Sequence, residues 1–105
     1  MASTIPTRDQ VIERLRTAEP QIRALGVRRL ALFGSVVRGQ ARPDSDVDLL
    51  VQFDPEQKTL DNFMALCFLL EDLLDHPVEV VTTESLSPYI GPYILREAED
   101  VLLAA

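Results

Sequence analysis

An apolar run rich in valine and leucine, Asp46 to Phe53, carries aspartate at both position 46 and position 48 and is ended by Asp54-Pro55. Such a run reads as a strand. Residues two apart on a strand share a face, so Asp46 and Asp48 project together, with Cα atoms about 6.5 Å apart. Val47, Leu49 and Val51 point the other way, into a core. Two carboxylates on one face of an apolar strand repel each other, and burial without partners raises their pKa values or carries a large desolvation cost. A divalent cation removes the conflict. Hard oxygen ligands suit Mg²⁺, which keeps several waters and accepts phosphate oxygens. Paired carboxylates can also bridge two ions roughly 3.5–4 Å apart. Taken alone, Asp-x-Asp fits the exposed, solvated start of a strand equally well.

The remaining punctuation predicts an α/β (α+β) chain. Thr7 with Gln10 three residues later resembles a capping box. Val11, Ile12, Leu15, Ile22 and Leu25 follow at helical spacing, with Pro20 breaking or restarting the helix and Gly26 stopping it. Val27 to Phe33 reads as a strand closed by Gly34-Ser35, after which Val36 to Gly39 makes one helical turn and Gln40 to Ser45 a loop. Thr59 to Leu74 reads as a helix with a wide apolar stripe of Leu60, Phe63, Met64, Cys67, Phe68, Leu70 and Leu74. Val78 to Thr82 is a third strand, and Pro92 to Leu103 a closing helix. A small mixed sheet with helices packed on one side is expected.

With 105 residues the chain suits one domain, residues 1–105, with Met1 to Pro6 the stretch expected to be disordered. Its net charge of −7 argues against a general nucleic-acid binder, which needs a basic face, and fits a protein that docks on a basic partner. Cys67 is a single cysteine in an apolar stretch and reads as a small core residue. There is no signal peptide and no apolar run of about 18 residues, so a cytoplasmic location is the expectation.

Gly34 lets the backbone turn sharply and approach a ligand closely. Ser35 adds a hydroxyl, and backbone N–H groups at such a turn form an anion site. Arg38 is a phosphate contact or an exposed charge. Together, a phosphate-cradling turn closes one strand and a carboxylate pair opens the next. The match is Gly34-Ser35, ten intervening residues, then Asp46-Val47-Asp48, with the fuller form Gly-Ser-x-x-Arg-Gly ending in Ser45-Asp46-x-Asp48-Leu49. At this point the sequence resembles the nucleotidyltransferase superfamily of the DNA polymerase β type, and within it the minimal nucleotidyltransferases.

That resemblance implies roles. Gly34 and Ser35, with Arg38 and Ser45, would bind the phosphates of ATP, while Asp46 and Asp48 would ligate one or two Mg²⁺ ions. A third carboxylate on a later strand matches Glu79, the lone acid in Pro77-Val78-Glu79-Val80-Val81. The family usually has Asp there, and Glu is one methylene longer, so its carboxylate can overreach the metal, leaving nucleotide binding in place while transfer is slow. Minimal nucleotidyltransferases of this kind resemble the antitoxin half of bacterial toxin–antitoxin pairs, whose partner is a HEPN-type toxin ribonuclease. Such antitoxins transfer AMP from ATP to a tyrosine of the toxin. The alternatives are a weak or inactive binding module that neutralises the toxin by complex formation, and a transferase for a small molecule such as an aminoglycoside. Larger relatives hold the acceptor on an added helical domain, so here the acceptor is expected to bring its own surface. Tyr89, Tyr93 and Ile94 either pack the closing helix, the favoured reading, or form a partner-facing patch. His76 reads as a loop residue away from the motif.

Overall fold

The structure, a computed structural model, describes residues 5–103. Of the expected disordered stretch, Met1 to Thr4 lie outside the described residues, whereas Ile5 packs against the core and Pro6 is buried. Helix α1 (Arg8–Thr17) opens on the expected capping box of Thr7 and Gln10, and Pro20 sits at the start of a separate short helix, α2 (Glu19–Arg23). Strand β1 (Val27–Phe33), the single-turn helix α3 (Ser35–Arg38) and strand β2 (Val47–Phe53) follow. Helix α4 (Leu60–Leu74) is capped by the Thr59 hydroxyl and closed by Asp75 in the left-handed conformation. Strand β3 (Val78–Thr82), helix α5 (Gly91–Glu97) and strand β4 (Glu99–Leu102) complete the chain.

The four strands form one mixed sheet in the order β3-β2-β1-β4. β1 is antiparallel to both β2 and β4, and β2 is parallel to β3. The expected closing helix over Pro92 to Leu103 is therefore corrected. α5 ends at Glu97, Ala98 turns extended, and Glu99, Asp100 and Leu102 pair with Leu32, Ala31 and Leu30 of β1. Val101 and Leu102 are buried on that edge, which Arg29 and Arg16 brace through Asp100 and the Val101 carbonyl.

Alternation along the strands builds two unequal faces. Leu30 and Leu32 of β1 and Val47, Leu49 and Val51 of β2 point to the main core, where they meet Val11, Leu15, Ile22, Leu66, Leu70 and Leu74 of α1, α2 and α4. Ala31, Phe33 and Leu50 point the other way, into a small cluster closed by Val81, Leu86, Ile94 and Ala98. The expected one-sided packing holds for α1, α2 and α4 but is corrected for α5, which with the turn before it lies on the second face. The apolar stripe expected on α4 splits. Leu70 and Leu74 are buried together with Leu66, which the expected stripe left out, whereas Leu60, Met64 and Phe68 form an exposed row. Cys67 lies half-buried at the margin, and burial pushes its thiol pKa up.

Candidate active site

The second face of the sheet carries the candidate carboxylates. Asp48 and Leu50 share a face, opposite to Val47, Leu49 and Val51, and the face continues outward to Asp46 just before β2 begins. In the parallel ladder Asp48 stands opposite Glu79, and in the antiparallel one opposite Phe33, the residue before Gly34. The strand register therefore brings Asp48, Glu79 and the Gly34 turn together. Asp46 and Glu79 are exposed and Asp48 is half-buried. Burial raises the Asp48 pKa first, and the Glu79 carboxyl beside it and the charge of Asp46 add to the effect. Arg38 opposes them, and the result is a carboxyl pushed up to about 6.

Gly34 adopts φ +82°, open to glycine and strained for other residues, and a Cβ built there would lie 2.0 Å from Asp48 Oδ2. Glycine is thus required by the close approach of the Asp48 carboxylate as well as by the turn. The Gly34 carbonyl accepts the Arg38 N–H and the Ser35 carbonyl accepts the Gln40 N–H, fixing one helical turn that ends at Gly39, φ +69°. Arg38 is not a free cation. Its Nη1 donates to Glu97 Oε1 and its Nε donates to Gln40 Oε1.

Ser45 sits in the loop entering β2, where its hydroxyl accepts the Arg42 N–H at 3.1 Å and its N–H donates to the Arg42 carbonyl. Its carbonyl accepts a hydrogen bond from His76 Nε2 at 2.6 Å. That corrects the reading of His76 as remote from the motif: it is 8% exposed and pins the backbone one residue before Asp46. The Val47 N–H donates to the Pro77 carbonyl beside it, so the first rungs of β2 and β3 fix the entry to the site. Tyr89 and Tyr93, favoured as packing residues, are 83% and 69% exposed, while Ile94 packs on the small cluster. Glu97 and His76 were both missed as site neighbours. Nothing local marks Glu97, and the one signal for His76 was its position just before the strand of Glu79.

Among the described residues no three His, Cys, Asp or Glu side chains already stand at the spacing of a ligated metal ion. The chemistry of the donor set nevertheless fits Mg²⁺, because carboxylate oxygens are hard ligands, and the burial and then the acidic crowding that push up the Asp48 pKa make a conflict a cation relieves. Beside them, the Gly34 turn with Arg38 offers N–H donors to an anion.

A mixed sheet that sets paired carboxylates beside a glycine turn defines a class of phosphate-transferring domains that work by positioning and charge neutralisation. The chain belongs to the nucleotidyltransferase domain family, whose pattern matches residues 8–101. It is 47% identical to the protein adenylyltransferase MntA of Thermococcus cleftensis, over 69% of this chain and 72% of that one. Among solved structures it is similar to a candidate minimal nucleotidyltransferase, with a TM-score of 0.69 and 39% identity over 84% of this chain and 93% of the other. It is also similar to a chain of a toxin–antitoxin complex crystallised with AMP-PNP, with a TM-score of 0.62 and 26% identity over 91% and 73%. The fold and the enzyme class expected from the sequence are thereby borne out. Among the described residues no helix is long and apolar enough to cross a membrane.

Proposed function

We propose that this nucleotidyltransferase is a Mg²⁺-dependent protein adenylyltransferase and antitoxin, acting in the cytoplasm, that transfers AMP from ATP to a tyrosine hydroxyl of a cognate HEPN-type toxin ribonuclease. The observation that carries the reading is the register pairing of Asp48 with Glu79 beside the Gly34 turn. The MntA relative and the AMP-PNP-bound toxin–antitoxin neighbour support it from outside the chain.

In this reading Asp46, Asp48 and Glu79 hold Mg²⁺, which when bound offsets the charge of the carboxylates and of the phosphates. The N–H groups of Gly34 and Ser35 bind the β- and γ-phosphates, with Arg38 beside them and the Ser45 hydroxyl at the rim of the site. The acceptor hydroxyl attacks the α-phosphorus in line. One P–O bond forms to the acceptor, the bond to pyrophosphate breaks, and a carboxylate, Glu79 or Asp48, takes the hydroxyl proton. The sheet face around Asp46 and Glu79 is open, so a protein acceptor can reach it.

The test is to incubate the chain with labelled ATP, Mg²⁺ and the protein encoded beside it. AMP on that neighbour from the wild type, and none from Asp46→Asn with Asp48→Asn, is the expected result. Label that survives the double substitution overturns the site. A second reading, a binding module that neutralises its partner without turnover, draws on Glu79 in place of Asp and on carboxylates not gathered at ligand spacing. Tight binding to the neighbour without label would favour it.

A further inference from the structure

We propose that Glu97 is the resident counter-anion of the nucleotide site, a carboxylate that holds the donors a triphosphate must take and that nucleotide displaces on binding. The proposal rests on the reading of Gly34 and Arg38 as phosphate-binding groups. Glu97 Oε2 accepts the Gly34 N–H at 3.3 Å, and Glu97 Oε1 accepts Arg38 Nη1 at 2.5 Å. One carboxylate therefore engages both a backbone and a side-chain donor of the turn. The donors come from 63 and 59 residues away in sequence, so only the packing of α5 on the second face of the sheet makes the contact.

Carboxylate and phosphate oxygens ask for the same thing: N–H donors and positive charge. Where both compete for one set of donors, the apparent affinity for nucleotide is the intrinsic affinity reduced to the fraction of molecules whose donors are free. The Gly34 end of the contact is the one that yields most readily. The bond to Gly34 is long, the Glu97 side chain retains 23% of its exposure, and Arg38 has a second partner in Gln40 that can hold it in place once Glu97 leaves. Glu97 also adds a negative group next to a turn already crowded by Asp48, Glu79 and Asp46. Its removal lowers the negative charge that approaching phosphates meet.

The test is the affinity of a fluorescent, non-hydrolysable ATP analogue in Mg²⁺ for wild type, Glu97→Gln and Glu97→Ala, with thermal melting of each. Both variants should bind roughly three- to tenfold tighter, as expected if Glu97 covers the donors for about two-thirds to nine-tenths of the time. A side chain that merely braced Arg38 would loosen binding when removed, so the direction of change separates the two roles. Equal or weaker binding by folded Glu97→Gln overturns the proposal, and this near-isosteric variant decides if Glu97→Ala melts early. If wild type and both variants all fail to bind the analogue, the nucleotide-site reading beneath the proposal falls, and the proposal with it.

Discussion

Asp48 lies between Glu79 across the parallel ladder and Gly34 at the end of β1, with its carboxyl pushed up to about 6 by burial and by its acidic neighbours. Between its ordinary value and 6 the folded protein binds more protons at this group than the unfolded chain does. Stability should therefore fall as pH rises through that window and stay lower above it. Asp48 is half-exposed, so solvent screening leaves an effect of about 1 kcal/mol, well below the full shift. Asp48→Asn should raise the melting temperature of the metal-free protein at pH 7.5 and flatten its dependence between pH 4 and 7, measured by thermal unfolding with a chelator present. The same substitution should lower AMP transfer by about 10² or more, as loss of a group that stabilises transition-state charge does. Gly34→Ala should remove transfer too, since its Cβ collides with Asp48 Oδ2 at a positive φ. His76→Ala frees the Ser45 carbonyl and should cost about 1–3 kcal/mol in urea unfolding.

At the scale of elements, α4 separates what periodicity can and cannot say. Its apolar residues cover so much of the helix surface that spacing gives one wide stripe and does not say which part of it is buried. The sheet selects Leu66, Leu70 and Leu74 and leaves Leu60, Met64 and Phe68 in solvent. Leu70→Ala should cost about 2–4 kcal/mol, whereas Phe68→Ser should change stability by less than about 0.5 kcal/mol, both by denaturant unfolding. The end of the chain teaches the same lesson. Ile94, Leu95, Ala98, Val101 and Leu102 fall at helical spacing, and no glycine or proline marks the break after Glu97. The edge of β1 lacks a partner without β4, and pairing with Leu30 to Leu32 outweighs local preference. By contrast Thr7, Pro20 and Thr59 act within a turn of where they stand, and each boundary they mark is found in the fold.

Taken whole, the molecule is a sheet with one thickly covered face and one thinly covered face, and the candidate carboxylates Asp46, Asp48 and Glu79 lie on the thin one. The net charge of −7 suits encounter with a basic partner. Association of the chain with the protein encoded beside it should slow about tenfold between low and high salt, as stopped-flow kinetics would read, while a salt-independent rate would argue that charge does not steer the encounter.

The sequence alone determined the strand that carries Asp48, with Asp46 just ahead of it, and the turn at Gly34-Ser35, and the family resemblance of that pattern implied the class of chemistry. The strand and the turn depend on spacings of two residues or on one special backbone angle, which neighbours along the chain dictate. Tertiary structure decided that Glu79 stands level with Asp48, that His76 pins the backbone ahead of Asp46, and that Glu97 holds Gly34 and Arg38. The reason is physical. Strand register and the docking of α5 join groups that lie 31 or more residues apart, and no local propensity records such a pairing.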